Sequence, residues 1–259
     1  MAGTLAAISD PVARAAFYEF VLRAADDELI IGHRHSEWTG FGPDIESDVA
    51  FSSIAQEEIG HARAFYGQIA PGDGAADALA YARSPSEYRH AIFLEQENGG
   101  WESSIVRLAL YERYDHERLR LLAASGQDPM AGLARALLRE ERYHVLFADT
   151  WLTRLVKGGP EGRDRVQRAL DAAWADALGL FEQTDADARL EAAGLLNVAA
   201  SEQRHAWETS VRPLLESCEL SMPASPAREG GRRGTHTEVF SRLHAQMTEV
   251  WRSDPEARW

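Results

Sequence analysis

The chain has 259 residues, of which 45% are hydrophobic and 26% are charged, and its formal net charge is −14. This composition is ordinary for a globular protein, and the acidity argues against nucleic acid as a partner because a negative surface repels the phosphate backbone. The apolar runs fall short of the ~20 residues that span a bilayer, no secretory pattern is seen, and the single cysteine, Cys218, excludes an internal disulfide framework. We therefore expect a cytoplasmic protein that does not contact a membrane.

Helix start and stop signals divide the first part of the chain into five predicted helices, at about 11–40, 42–69, 85–98, 101–124 and 129–156. Asp10-Pro11 is typical of an N-cap followed by proline at the first helical position. Ser84-Pro85-Ser86-Glu87 predicts a capping box at the start of the short third helix. Gly126-Gln127-Asp128-Pro129 predicts the break between the last two.

The remaining sequence predicts further helices at about 161–182, 187–216 and 235–251, with a loop at 218–234 that is rich in proline, glycine, serine and arginine. Long loops of this kind are often functional. We find no alternating strand pattern of useful length. The sequence therefore predicts an all-α fold in one domain, 1–259, with a four-helix bundle core at about 11–156 and additional C-terminal helices and the loop at about 161–259.

A duplicated acidic motif is the strongest functional signal in the chain. Glu28 precedes Glu58-Ile59-Gly60-His61 by about one helix-turn-helix, and Glu112 precedes Glu141-Arg142-Tyr143-His144 in the same way. Four carboxylates and two imidazoles in this pattern are the ligand set of two carboxylate-bridged iron or manganese ions inside a four-helix bundle. The pattern therefore indicates a dinuclear metal site and oxygen chemistry.

The six candidate ligands all interrupt apolar helical stripes, as a buried site requires. In the helix predicted at 129–156 the stripe reads Ala134, Leu137, Glu141, His144, Ala148, Trp151 and Leu155. Its spacings alternate between three and four, so one helix face carries every member. Two divalent ions would balance the four carboxylates, whose burial without counter-charge would cost several kcal/mol each. Carboxylate and imidazole ligands without thiolate favour iron or manganese.

A single Glu-x-x-His pair is weak evidence, because the chain also contains Glu87-His90 and Glu202-His205. Glu87 is interpreted as a capping residue, and Glu202 has no matching glutamate one hairpin upstream. The alternative to a working site is a bundle that kept the six residues as a hydrogen-bonded polar core.

Four further residues are weaker candidates. Asp115 lies one turn beyond Glu112 and is predicted either to orient a ligand histidine or to form an ordinary buried hydrogen bond. Arg228, Arg232 and Arg233 lie in the long loop, where they would bind substrate phosphates or a partner, or simply be solvated.

The chain resembles the small ferritin-like subunit of the phenylacetyl-CoA epoxidase (phenylacetic acid catabolic, PaaC-type) family. The matching pieces are Ser36-Glu37-Trp38, Glu95-Gln96-Glu97-Asn98-Gly99, Glu141-Arg142-Tyr143-His144 and Gly230-Gly231-Arg232-Arg233-Gly234-Thr235-His236-Thr237-Glu238. The similarity extends from about residue 19 to Trp259, and its most specific piece is the glycine-rich stretch leading into His236-Thr237-Glu238.

The resemblance implies a ferritin-like bundle and a multicomponent mono-oxygenase, in which a di-iron subunit activates O2 with electrons from a reductase and epoxidises phenylacetyl-CoA. The small member of the family pairs with the catalytic one and has lost several ligands. This chain departs from that pattern, because Glu28, Glu58, His61 and Glu112 fill positions where the usual small member has non-ligating residues.

Our hypothesis is therefore a di-iron oxygenase component, an oxidoreductase of the phenylacetate-degradation type that acts on an aromatic or acyl-CoA substrate. Its cofactors would be two iron ions, with manganese possible in one site, besides O2 and external electrons. It would work in a homo-oligomer or in a hetero-complex with other oxygenase subunits and a reductase. The alternative is a non-catalytic subunit that docks to a separate di-iron subunit; peroxide scavenging or iron handling is a third possibility.

Overall fold

The computed structural model describes residues 4–70, 72, 74–124, 130–195 and 200–254. Across these residues the chain forms helices, turns and loops, with no strand. The α-helices are α1 Pro11–Ser36, α2 Ile45–Ile69, α3 Ala75–Tyr81, α4 Ile92–Glu95, α5 Trp101–Ala124, α6 Met130–Lys157, α7 Pro160–Leu178, α8 Asp185–Ala192, α9 Ala200–Ser217, α10 Glu238–Met247 and α11 Glu249–Ser253. Short 3-10 turns lie at Thr4–Ala7, Pro85–Glu87, Gly179–Phe181 and Gly231–Arg233. The all-α prediction is confirmed.

The chain divides into two compact units. The first unit comprises Met1–Glu97, Gln183–Leu195 and Gly230–Trp259, and the second comprises Asn98–Glu182 and Leu196–Glu229. Each unit is built on one hairpin of two long helices, α1 with α2 and α5 with α6. These are the two hairpins that a ferritin-like bundle requires, while the single-domain boundary of 1–259 stays a prediction.

In the first unit, α8 packs against α1 through ion pairs and hydrogen bonds. Both terminal guanidinium nitrogens of Arg23 donate to the carboxylate of Asp187, at 2.8 and 2.6 Å. The hydroxyl of Thr184 donates to Glu19 on α1 at 2.6 Å. The bidentate geometry makes this pair stronger than an ordinary surface contact, so α8 is fixed to the hairpin that carries Glu28.

In the second unit, α9 packs on α5 through Trp207. Its indole is fully buried, and Nε1 donates to the carbonyl of Leu110 at 2.9 Å. The ring contacts Trp174 and Phe181 at centroid distances of 5.3 Å. A buried tryptophan that also satisfies its N–H is a strong packing anchor, and this one supports the helix that carries Glu112.

Several helices begin at the capping residues that the sequence predicts. Asp10 caps α1 by accepting from the N–H of Val12 at 3.0 Å, and Asp44 caps α2 by accepting from Ser47 N–H at 2.8 Å. The capping box at 84–87 is present. α1 ends at Ser36 rather than near Gly40, because 37–41 forms a turn with Gly40 at φ +86°.

Three predicted helices differ from the structure. The one at 85–98 is instead a 3-10 turn and the single turn α4, and the one at 235–251 is divided by Thr248 into α10 and α11. The one at 187–216 is divided into α8, which ends at Ala192 shortly before Gly194 at φ +66°, and α9, which begins at Ala200. Its residues 196–199 lie outside the described part. The predicted break at 126–129 also lies outside the described residues, and α3 has no counterpart among the predicted helices.

Residues 88–91, between the 3-10 turn at Pro85–Glu87 and α4, are extended because of tertiary contacts with α1. The carboxylate of Asp26 accepts from the N–H of Arg89 at 2.7 Å, and that of Asp27 accepts from the N–H of Ala91 at 3.1 Å. These bonds satisfy backbone donors that a continuous helix would otherwise use. The segment is therefore held straight against α1.

Candidate metal centre

The α1–α2 hairpin brings Glu28, Glu58 and His61 together. Their side chains are 0–2% exposed, and one ligand-type atom from each lies within 4.8 Å of the others. Glu58 and His61 share a face of α2 because they are three positions apart, and His61 Nδ1 lies 4.0 Å from Glu58 Oε2. We call these three residues the first half-site.

The close approach of α1 to α2 at the first half-site depends on Gly32, one turn beyond Glu28. A Cβ at Gly32 would lie 2.8 Å from Ile59 Cγ1 and 3.1 Å from both Ala55 O and Glu58 Cβ. Real Cβ atoms rarely come so close, so any side chain would push the helices apart. Gly32 therefore sets the spacing between Glu28 and Glu58.

We expect Gly32→Ala to weaken metal binding at the first half-site by about 10–100-fold, as is typical when the support of a ligand is disturbed. The measurement is ferrous-iron affinity by competition with a chelator. The matched control is Gly60→Ala in α2, where a Cβ meets nothing within 4 Å. That exposed change should leave affinity unaltered and raise helix stability by about 0.5–1 kcal/mol; equal affinity in both variants would contradict the role of Gly32.

The α5–α6 hairpin brings Glu112, Glu141 and His144 together in the same way. All three are 0–1% exposed, and their ligand-type atoms lie within 4.8 Å of one another. His144 Nδ1 lies 3.2 Å from Glu112 Oε2 and 3.5 Å from Glu141 Oε1. We call these three residues the second half-site.

The chemistry of the two donor sets fits a divalent metal ion in each. Each half-site has two buried carboxylates and one imidazole, so one dication balances its charge when the histidine is neutral. Oxygen and imidazole donors without thiolate suit iron and manganese. Burial of several carboxylates in one place is otherwise expensive, and one divalent metal ion would offset this cost in each half-site.

Three consecutive carboxylates on α1 have three separate environments. Asp26 accepts from the Tyr66 hydroxyl at 2.5 Å and pairs with Arg83. Asp27 pairs with Arg232, whose Nη1 lies 2.6 Å from Oδ1. Glu28 belongs to the first half-site. All three side chains are fully buried.

The weaker sequence candidates have structural partners. Asp115 is buried and paired with Arg118, three positions along α5. Arg232 is 3% exposed and donates to Asp27 and to the carbonyl of Arg89, so its guanidinium forms a buried ion pair inside the first unit. Arg233 is exposed and donates to the Gln183 carbonyl at 2.7 Å, and Arg228 lies 3.5 Å from Asp176.

The other Glu-x-x-His pairs are not built as metal half-sites. Glu87 is the capping residue that the sequence predicts, since its carboxylate accepts from the N–H of Ser84 at 2.7 Å. Glu202 and His205 are both exposed on α9. Burial thus separates the duplicated motif from the isolated pairs.

The structure also assembles a cluster that sequence reasoning missed. His90 Nε2 and His236 Nδ1 each lie 2.8 Å from Glu95 Oε2, and the two rings stack with centroids 4.1 Å apart. No periodicity joins residues so far apart in the chain. The sequence marks His236 only through the glycine-rich stretch before it, which belongs to the family resemblance and does not indicate contact with His90 or Glu95.

Hydrogen bonds fix the charges of this cluster. Burial alone would raise the pKa of Glu95, but hydrogen bonds from His236 and His90 lower it to about 2. Burial lowers the pKa of His90 to about 4, and the nearby His236 ring adds to the effect. Glu95 is therefore ionised and His90 neutral near pH 7.

No helix in the described part of the chain is long and apolar enough to cross a membrane. This finding agrees with the short apolar runs of the sequence.

Comparisons with known proteins agree on one family. The profile of the family described as "Phenylacetic acid catabolic protein" matches residues 6–259. The chain is similar to the C component of the 1,2-phenylacetyl-CoA epoxidase of Escherichia coli (strain K12), which is one of the subunits of that enzyme. The identity is 30% over 243 residues, which are 93% of this chain and 98% of that protein. The resemblance noted in the sequence is thereby confirmed.

Proposed function

This chain belongs to the phenylacetic acid catabolic protein family, and we propose that it is a non-haem di-iron oxygenase component. The observation that carries the proposal is the pair of buried half-sites, each with two glutamates and one histidine. Four buried carboxylates grouped with two histidines are costly without counter-charge, and two dications would supply that charge.

We propose that Glu28, Glu58 and His61 would hold chiefly one iron ion and that Glu112, Glu141 and His144 would hold chiefly the other, with the two ions acting as one pair. The support is the duplication of the motif, since both hairpins offer the same ligands in the same order. Four carboxylates against two dications leave the paired site neutral.

The residues of the chain hold and isolate such a centre. Ferrous iron, when bound, supplies electrons to dioxygen. Glu28, Glu58, Glu112 and Glu141 provide negative charge that retains the ions, and His61 and His144 provide neutral nitrogen donors. All six are at most 2% exposed, so the helices exclude bulk water from the ligands.

For the substrate, we propose an aromatic acyl-CoA thioester. The support is the name of the similar protein, which belongs to an epoxidase of phenylacetyl-CoA. That protein is one subunit among several, so we propose that this chain works in a hetero-complex with other oxygenase subunits and a reductase, which would return electrons after each turnover.

The test is the metal content of the purified full-length chain, loaded anaerobically with ferrous iron. We expect two irons per chain and a Mössbauer spectrum of an exchange-coupled pair. A chain that retains no metal after loading, yet forms a tight complex with other oxygenase subunits, would overturn the proposal and favour the non-catalytic docking protein.

A further inference from the structure

The C-terminal segment, residues 230–254, lies directly against the stretch that carries His90 and Glu95. A Cβ at Gly231 would overlap the carbonyl oxygen of His90, and only a glycine lets two backbones approach so closely. The glycine-rich stretch before His236 therefore has a structural reason. It lets the segment pack on the earlier stretch and places His236 beside His90 and Glu95.

One ligand-type atom from each of these three side chains converges on the others. His90 Nε2 and His236 Nδ1 each lie 2.8 Å from Glu95 Oε2, and the set lies within 4.8 Å. The side chains of His90 and Glu95 are fully buried, and that of His236 is 4% exposed. Two imidazole nitrogens and one carboxylate oxygen are a donor set that zinc accepts in proteins.

The ring of His236 is oriented as a metal ligand. Its Nε2 lies 3.1 Å from the carbonyl oxygen of Tyr88, which can only accept a hydrogen bond, so a neutral ring carries its proton on Nε2. The lone pair of Nδ1 then faces Glu95 Oε2, which also only accepts, and the pair calls for a cation between them. A histidine that ligates a metal ordinarily donates its other N–H to a carbonyl or a carboxylate in this way.

Glu95 is held in the arrangement that a ligand needs. Its Oε1 accepts from the N–H of Thr237 at 2.7 Å, which leaves Oε2 turned towards the two histidines. Arg34 on α1 donates to the backbone carbonyl of Glu95 at 2.6 Å. With a pKa of about 2 for Glu95 and about 4 for His90, the carboxylate is ionised and the imidazole is neutral near pH 7, as metal ligands must be.

We propose that His90, Glu95 and His236 form a zinc site, in which the ion binds Nε2, Oε2 and Nδ1 respectively. The ligand atoms of a tetrahedral zinc ion with bonds of about 2.0–2.1 Å are about 3.3 Å apart, so each nitrogen–oxygen distance would widen by about 0.5 Å on binding. The two rings, which are stacked with an interplanar angle of 15° and centroids 4.1 Å apart, would tilt apart to admit the ion.

Zinc suits this site better than the metals of the half-sites. Imidazole outnumbers carboxylate here, whereas each half-site has two carboxylates and one imidazole, and imidazole-rich sets favour zinc over manganese. The fourth position of the tetrahedron would take a water molecule. The hydroxyl of Thr237 is buried and forms no hydrogen bond with the described residues, so it is available to hold that water.

The role of the ion would be structural, because the burial of all three ligands leaves no access for a substrate. It would join the C-terminal segment to α4 and, through the bond from Arg34, to α1. The ion pair of Arg232 with Asp27 and the fully buried Phe240 hold the same segment. The chain therefore stays folded without zinc, and the ion adds to the stability of the segment.

The direct test is anomalous scattering at the zinc edge from crystals of the full-length chain, stripped of metal with a chelator and then supplied with zinc. We expect a peak about 2.0–2.1 Å from His90 Nε2 and His236 Nδ1. The site shares no ligand with either half-site, so this outcome does not depend on whether the half-sites bind iron. No peak between the two rings at saturating zinc would overturn the proposal.

Zinc content in solution provides a second test. His236→Gln keeps an N–H donor for the Tyr88 carbonyl but has no imidazole nitrogen, so it should bind one zinc ion fewer per chain than the wild type. The matched control is His244→Gln, because His244 lies on the same segment but donates to the Arg83 carbonyl at 2.8 Å and is not a proposed ligand. It should bind as much zinc as the wild type. Equal zinc content in the two variants would contradict the site.

The structural role has its own measurement, the hydrogen exchange of the segment's amides in the wild-type chain. With free zinc at 100 times its dissociation constant, exchange through openings that release the ion should slow by about 100-fold. The same zinc should leave exchange in His236→Gln unaltered. Exchange in the wild type that does not respond to zinc would show that the ion, even when bound, does not hold the segment.

Discussion

His61→Ala is expected to lower the affinity of the chain for ferrous iron by more than about 100-fold, because even residues that only orient a ligand contribute about 10–100-fold. His61 is 2% exposed and belongs to the first half-site. Without His61, the first half-site keeps its two buried carboxylates but has no imidazole donor. The measurement is iron per chain after anaerobic loading and removal of free metal.

The matched control for this variant is His205→Ala. His205 stands in a Glu-x-x-His pair of identical spacing, but both residues are exposed on α9, so iron content should not change. His144→Ala should remove the ion of the second half-site. Because the two proposed ions act as one pair, each variant should also weaken the binding of the remaining ion. Full retention of one iron with unaltered affinity would argue for two independent sites.

Arg232→Ala is expected to destabilise the protein by about 3–5 kcal/mol, the usual cost of removing one member of a buried ion pair. Arg232 is 3% exposed, and its Nη1 lies 2.6 Å from the fully buried Asp27 carboxylate. Without the guanidinium, that carboxylate keeps the backbone bond from Ala91 but loses its charge partner. The measurement is the free energy of unfolding from urea titration.

The neighbouring Arg233 provides the control. It is exposed and donates to the Gln183 carbonyl, so Arg233→Ala should cost about 1 kcal/mol or less. Equal losses in the two variants would show that the loop as a whole, rather than the buried pair, stabilises the first unit.

The candidate ligands were predictable because their information is local. A glutamate and a histidine three positions apart on an apolar stripe must share a buried helix face, and Glu58 with His61 and Glu141 with His144 do so. Helix starts at Asp10 and Asp44 followed from capping chemistry within a few residues.

The features that sequence reasoning missed depend on contacts between distant segments. The extended stretch at 88–91 is held by carboxylates of α1, and a local pattern cannot report them. Arg232 reads as a loop residue because proline and glycine surround it, yet its partner lies on α1, 205 positions away. The joining of His236 to Glu95 was hidden for the same reason.

The three adjacent carboxylates of α1 make this helix intolerant of a change in length. Successive residues of an α-helix point about 100° apart, so Asp26, Asp27 and Glu28 serve three surroundings only in one register. A one-residue deletion upstream would turn an ion-pairing aspartate towards the candidate metal ligands of the first half-site, and Glu28 towards an arginine. A chimera made from two relatives should therefore exchange α1 as a whole, together with the arginines that pair with its aspartates.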